Sequence, residues 1–493
     1  MAVAVTDLRA DGARSNRREL LVLAAILLMA LALRLYGLDA ESLWRDEGHT
    51  LRRAVDAHLL GGGRPLFYLF MKWWMGLGSS DAWLRLPAVV FGVAGIAALW
   101  AATKAAAGPH VAMLACALMA LAVPEIDHSQ EVRMYTLTSF LTAAAAAVLV
   151  RWDGRRWTTL LAFGALSWLA LLASPVAAIG LAAWGLGILL IRRWDRRALG
   201  RLLVAAVLLG LSWAHWARAA PAMVERVGGG EKGWTTAPGP RQFLTLPASL
   251  LVNHVGFPGR SRVNLVVSGM IVMSSLGLLA AAALGWRDRE SRHAPTFALA
   301  FVVSAGTVFV VSRLASSVWV PRYFTALAPV LYVALAAGLV VLTRRRRWLA
   351  AVTTVALTGA LAFSLAHYYR EPTREDWRGV AVWLRGRVAS GDVVCLLGPG
   401  NDFLFARYFG AATPTATVRV PSRRGQQLTA EQALALVAGH RSLSGRTWLV
   451  VVESPSVRAG SMAAALARLL SRRLENFDSF QIAVVGLPPT SPP

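Results

Sequence analysis

Cysteine and lysine are almost missing from this chain. Of 493 residues only Cys116 and Cys395 are cysteines, and only Lys72, Lys104 and Lys232 are lysines. Two thiols, one in an apolar run and one near the C-terminus, exclude a disulfide scaffold, and no Cys or His spacing of a structural zinc site is present. Charge is scarce as well: 16% of residues are Asp, Glu, Lys or Arg, against about 25% in soluble domains. No G-x-G-x-x-G follows a strand; Gly398-Pro399-Gly400 comes nearest and makes no phosphate loop. No internal repeat is visible. The chain is instead 56% hydrophobic, a surplus that needs a bilayer as solvent for much of its length. The formal charge of +24 would suit a nucleic-acid partner, but no nucleic-acid motif accompanies it. Nearly all of that charge is Arg, gathered in short clusters between apolar runs, which is a topological signal.

A spanning helix needs about 20 mostly apolar residues. Such stretches lie at 19–38, 84–106, 109–124, 133–150, 157–173, 175–191, 201–217, 264–285, 295–312, 322–342 and 349–367. They predict about eleven transmembrane helices over 19–367, after a short N-terminal segment 1–18. The first is too long for a signal-peptide core and is followed by further spans. Arg clusters at 9–18, 151–156, 192–201, 287–292 and 344–347 all fall in alternate loops. The positive-inside rule therefore puts the N-terminus in the cytoplasm of a plasma-membrane protein and everything after His367 outside. The outer loops are then 39–83, 125–132, a turn at Ser174, 218–263, 313–321 and the tail 368–493. Loop 39–83 is long for a connection in a compact domain. In it Ala54–Leu60 reads as a short helix, and Pro65–Leu77, with Trp73 and Trp74, as a helix lying in the membrane interface.

The tail changes character. Strand-like runs at Asp392–Leu397, Thr417–Val420, Thr447–Val452 and Phe480–Leu487 alternate with helical patterns at 375–389, 402–409, 429–439 and 459–473. Alternation of this kind predicts an α/β domain over 368–487 with a largely parallel sheet. Residues 488–493 read as a disordered end. Asp392, Asp402 and Glu453 read as ordinary loop charges.

Three groups of residues carry chemical potential, and the derived topology puts all three on the outer side. The first is Trp44-Arg45-Asp46-Glu47-Gly48-His49. Loop acids are mostly solvated, but Leu43 and Trp44 anchor this pair at the bilayer, where ionisable groups are functional candidates. The second is Pro124 to Tyr135. If it opens the fourth span, Asp127, Glu131 and Tyr135 share one helical stripe. The third is a set of outer arginines: Arg34, Arg64, Arg313 and Arg322, the last beside Tyr323. Arg suits bidentate phosphate binding, whereas a single Arg at a membrane edge more often snorkels to headgroups. Carboxylates that deprotonate a hydroxyl, beside guanidinium groups that hold a leaving phosphate, suit transfer from a lipid phosphate.

The stretch Leu33-Arg34-Leu35-Tyr36-Gly37-Leu38, followed by Ser42-Leu43-Trp44-Arg45-Asp46-Glu47, resembles the start of bacterial GT-C glycosyltransferases. The likeness is to the Rgt-like, family-39-like group, related to protein O-mannosyltransferases and lipid A aminoarabinose transferases. Arg64-Pro65-Leu66-Phe67-Tyr68, Leu84-Arg85-Leu86-Pro87 and Ser129-Gln130-Glu131-Val132-Arg133-Met134-Tyr135 follow in that group's order. Arg322-Tyr323 and Arg374-Glu375-Asp376-Trp377-Arg378-Gly379 fit its later parts. The resemblance implies a polytopic α-helical GT-C membrane protein with an extracytoplasmic α/β domain. It implies inverting transfer of a sugar from a polyprenyl-phosphate donor to a hydroxyl on a glycan, lipid or protein. On that likeness Asp46 is the general base, Glu47 supports it, and Glu131 is the second acid. Arg64, where the group often has His or Lys before Pro-Pro, holds the donor phosphate with Arg322 and Tyr323. Asp127, Arg133, Tyr135 and Tyr68 shape the acceptor side. His49 and His128 lie beside the two acidic stretches and are candidate ligands for a divalent metal. The competing reading is a transporter or flippase of lipid-linked sugars. It needs polar residues through the middle of the spans, where this sequence has mostly Ala, Leu and Val.

Overall fold

The computed structural model describes residues 2–55, 64–192, 194–217, 237–252, 262–287, 293–314, 317–397, 402–410, 415–418, 428–440, 442, 445–452, 459–470, 475–479 and 481–489. The end of the predicted Ala54–Leu60 helix, most of loop 218–263, Gly398-Pro399-Gly400, Arg419 and Val420 at the end of the second predicted strand, Glu453 and 490–493 lie outside these residues.

Among the described residues a helix stands at each predicted span. In chain order the helices are α1 (Ala2–Leu35), α2 (Arg45–Val55), α3 (Pro65–Met75), α4 (Asp81–Ala107), α5 (Pro109–Leu121), α6 (Val123–Ser129) and α7 (Tyr135–Leu149). There follow α8 (Trp157–Ala173), α9 (Ala177–Ile191), α10 (Arg196–Ala217), α11 (Pro240–Ser249), α12 (Arg262–Ala283), α13 (Ala294–Leu314), α14 (Ala328–Arg345) and α15 (Arg347–Tyr368). By length and composition α4, α12 with its extension to Trp286, α13, α14 and α15 could each cross a membrane. The pair α5 and α6, bent by 61°, passes the same test together, and α7, α8 and α9 are shorter apolar helices.

The packing follows from composition. Helix α14 is buried on every side from Ala328 to Gly338, as a helix apolar all round must be. A β-carbon at Gly338 would stand 2.0 Å from the Leu278 carbonyl oxygen. Glycine thus lets α14 and α12 touch backbone to backbone, the kind of contact that joins helices where lipid offers no hydrophobic drive. Two local expectations change. Residues Pro321–Phe324 form a 3₁₀ turn, and the helix begins only at Ala328, because Pro329 lacks the N–H that a helix continuing from upstream would use. Residues 130–134 interrupt the predicted stripe: Asp127 lies near the end of one helix and Tyr135 starts the next.

Beyond α15 the chain forms α16 (Trp377–Arg385), β1 (Val393–Leu397), α17 (Asp402–Phe409), β2 (Thr415–Val418), α18 (Ala430–Val437), β3 (Thr447–Val452), α19 (Ala459–Leu469), β4 (Asn476–Ser479) and β5 (Ile482–Leu487). The sheet order is β2-β1-β3-β5-β4. Pairings of β1 with β2 and β3 are parallel, whereas β5 runs antiparallel to both β3 and β4. The sheet is therefore mixed. Strand β4 was hidden in the sequence because Asn-Phe-Asp-Ser has no apolar run; it is an edge strand with only alternate residues covered. The central strands are buried on both faces, hence their continuous apolar runs. One face (Val394, Leu396, Trp448, Val450) joins a core with Leu43, Leu51, Tyr135, Trp377 and Leu404. The other (Cys395, Leu397, Leu449, Val451) packs on Ala433 and Met462. The first face thus makes one continuous core with the first loop and the start of α7.

Candidate active site

The site is built around the first turn of α2. Glu47, in that turn, reaches back to the Trp44 N–H at 3.1 Å, which satisfies one of the helix's orphan donors. Arg85 of α4 clasps the Glu47 carboxylate with two bonds of 2.9 and 2.8 Å, and the Val132 N–H adds a third contact at 2.8 Å. Both side chains are 0% exposed. The remaining Arg85 hydrogens go to the carbonyls of Leu38, Glu41 and Ser42 at 2.8–3.0 Å. This network explains the break at 130–134: the backbone leaves the helix to offer Val132 N–H to Glu47. Glu47 is thus fully engaged in holding the loop, with its lone pairs committed to protein donors.

Asp46, one residue earlier, is placed differently. Its side chain is 19% exposed, and Arg322 donates to its Oδ2 at 3.0 Å. Arg133 donates to the Asp46 carbonyl and to the Thr50 hydroxyl at 3.1 Å each, and its other guanidinium nitrogen lies 3.8 Å from Asp46 Oδ2. Burial by itself would raise the Asp46 pKa; Arg133, Arg322, Arg45 and His49 outweigh it and hold the carboxyl below its ordinary value. The helix N-terminus favours the same ionised form.

Around this carboxylate lie groups from distant stretches. The Tyr323 phenol is within electrostatic reach of Tyr135, Arg322, Arg64 and Arg133. Arg64 caps the start of α3 in the backbone sense only, with no side-chain capping bond. The Arg133 guanidinium sits 5.7 Å from the Tyr135 ring centre. Tyr68 is buried on α3. His49 is exposed on α2.

The second acidic stretch forms a neighbouring group. Glu131 Oε1 lies 3.4 Å from His128 Nδ1. Asp127 takes Arg374 at 3.1 Å and the Tyr368 hydroxyl at 3.2 Å. Arg133, 3.8 Å from Asp46 Oδ2, is also within electrostatic reach of Glu131. Asp127, His128 and Glu131 each offer one ligand atom, all within 4.8 Å of one another. A mixed nitrogen and oxygen set of this kind fits a divalent cation, although Arg374 already supplies positive charge to Asp127. His49 is not in that group.

Other predicted residues have different work. Arg34 is fully buried and donates to the Met119 and Ala120 carbonyls at 3.1 and 3.3 Å and to Ser129 Oγ at 3.0 Å. It caps the C-terminus of α5, where carbonyls lack helical partners, and is not free for phosphate. Arg313 bonds the Pro238 carbonyl at 3.3 Å. Asp392 holds the Trp448 indole at 2.9 Å, and Asp402 pairs with Arg52 at 2.6 Å. Arg85 and Arg374, quoted above only as parts of stretches that carry the resemblance, and Tyr368 were given no role beforehand. Arg85 had a legible signal, a guanidinium at the mouth of an apolar span; Tyr368 had none.

No protein-family model matches the sequence, and no curated protein matches it. Solved structures do match its fold. ArnT from Cupriavidus metallidurans in the apo state is 15% identical, with a TM-score of 0.56 over 94% of this chain and 97% of that one. The same protein bound to undecaprenyl phosphate gives 14% identity and a TM-score of 0.52 over 94% and 97%. The archaeal oligosaccharyltransferase AglB from Archaeoglobus fulgidus, in complex with an inhibitory peptide and a dolichol-phosphate, is 12% identical. Its TM-score is 0.52 over 88% of this chain and 69% of that one. The chain shares the helical fold of these solved structures.

Proposed function

We propose that this protein is a membrane glycosyltransferase that moves a sugar from a polyprenyl-phosphate donor to a hydroxyl of an extracytoplasmic glycan, lipid or protein. The observation that carries the reading is the Asp46 carboxylate, partly open and flanked by Arg322 at 3.0 Å and Arg133 at 3.8 Å. Asp46 takes the acceptor hydroxyl proton as the oxygen attacks the anomeric carbon. The bond from that carbon to the phosphate oxygen breaks, with inversion, and the lipid phosphate leaves with the electron pair. Arg64, Arg322 and Tyr323 hold that developing charge. Glu47 is a positioning residue that fixes α2 through Arg85. Glu131 and Asp127, with Arg133, Tyr135 and Tyr68, orient the acceptor. A divalent ion at Asp127, His128 and Glu131 would add positive charge beside the acceptor. The solved relatives in fold support the donor class, since one was solved bound to undecaprenyl phosphate and another in complex with a dolichol-phosphate.

The Arg clusters, read by the positive-inside rule, favour the outer side of the plasma membrane for this site. Transport is the weaker reading because α14, buried from Ala328 to Gly338, has Tyr332 as its one polar side chain in that stretch. The test is direct. Purified protein is given a panel of polyprenyl-phosphate sugars with candidate acceptors, and free lipid phosphate is measured. Asp46→Asn should abolish release while the protein still inserts and elutes as a single species. Full turnover by that variant would remove Asp46 from its role.

A further inference from the structure

Residues 42–52 carry Asp46 and are gripped from two sides. On the membrane side Arg85 holds Glu47 and Arg133 holds the Asp46 carbonyl. The second grip comes from the chain beyond α15. Glu375 accepts the Arg45 N–H at 3.0 Å and the Trp377 indole N–H at 2.9 Å. The Ser42 hydroxyl donates to the Glu375 carbonyl at 2.7 Å and accepts the Trp377 N–H at 2.9 Å. The Tyr408 hydroxyl, from α17, accepts the Leu43 N–H at 2.7 Å and donates to Asp81 at the start of α4. Asp81 also binds Arg378 and Arg407, each at 2.7 Å. A β-carbon at Gly48 would lie 2.8 Å from Leu404 Cγ, so α17 rests on the α2 backbone itself.

These contacts fall on both sides of Asp46 in sequence. The partner it must face, Arg322, comes from the turn before α14. Where Asp46 stands relative to Arg322 therefore depends on groups contributed by the α/β unit. We propose that this unit is a positioning part of the active site: Glu375, Leu404 and Tyr408 place Asp46 by fixing the backbone of residues 42–48. Each of the three acts through the backbone of residues 42–48: Tyr408 at Leu43, Glu375 at Arg45 and Leu404 at Gly48. The kinetic side of this inference rests on the glycosyl-transfer reading, and its structural side does not.

The test is a suppressor pair in the full-length protein in nanodiscs. Gly48→Ala drives a methyl group into Leu404. Alanine favours a helix over glycine, so α2 taken alone would tolerate the change, and a defect must come from the contact with α17. We expect kcat to fall about 10- to 100-fold, the cost of a small misplacement of a reacting group, with the donor KM unchanged. Amide exchange over residues 42–55 should rise. Adding Leu404→Ala removes the clashing atoms and should recover most of the turnover and the protection. Tyr408→Phe, which keeps the ring and loses the bonds to the Leu43 N–H and to Asp81, should lower kcat with the donor KM unchanged, and it serves if Gly48→Ala does not fold. Wild-type turnover and exchange in Gly48→Ala would overturn the proposal, as would a defect that Leu404→Ala leaves in place. If the wild type transfers no sugar from any donor, the glycosyl-transfer reading fails. The exchange measurements then decide the coupling alone: protection lost and regained supports it, and unchanged protection overturns it.

Discussion

Removing the charge of Arg322 should move the acid limb of turnover to higher pH. A base must be ionised to act, so the wild-type rate falls only as the pH drops through the Asp46 pKa. That pKa lies below the ordinary carboxyl value: burial pushes it up, and the neighbouring cations, Arg133 and Arg322 first, more than offset burial. In Arg322→Gln the nearest cation is lost, while Arg133 remains at 3.8 Å. Two unit charges at 3.0 Å interact by roughly 5 kcal/mol at an effective dielectric of about 20. Partial exposure of both side chains, 19% and 29%, screens that figure, and an Arg beside an Asp lowers the pKa by roughly one to three pH units. With that help gone, burial regains its weight and the limb should rise by roughly one to three pH units. The assay is kcat/KM for the acceptor against pH at saturating donor, which separates this effect from any weakening of donor binding. An acid limb that stays where it is would refute either the ion pair's control of Asp46 or the role of Asp46 as the titrating base.

Two other perturbations address the surroundings. Arg64→Ala should raise the donor KM more than the acceptor KM; equal loss for both substrates would point to misfolding instead. Arg85→Met leaves the wholly buried Glu47 carboxylate without its ion partner, and breaking a buried pair in this way costs about 3–5 kcal/mol. Thermal unfolding in detergent should show the loss, and the double variant Arg85→Met with Glu47→Leu should recover part of it. A single variant as stable as the wild type would contradict the pairing.

The acids and arginines of the site were legible one by one. Asp46, Glu131, Arg64 and Arg322 could be picked out as candidates because charges beside apolar runs are costly and so conspicuous; Tyr323 was a candidate only as the neighbour of Arg322. Their partners were not. Arg34 looked as available for phosphate as Arg322 did, and only packing shows it spent on the end of α5. Asp46 and Glu47 are adjacent and chemically alike, yet one is sealed against Arg85 and the other opens toward Arg322.

The helices of the apolar part, the alternation of strand and helix in the tail, and the places along the chain where the charges collect can all be read from the order of residues. Those features are local: a helix in lipid must satisfy its own backbone and be apolar along its length, and strands buried on both faces must be apolar throughout. The break at 130–134, the mixed sheet with its edge strand, and the meeting of Ser42, Arg45 and Gly48 with Glu375, Trp377 and Leu404 arise instead from packing. Those contacts join residues more than 300 positions apart. Their partners are chosen by which buried donors and acceptors must be satisfied once the helices have packed, and no periodicity along the chain records that choice.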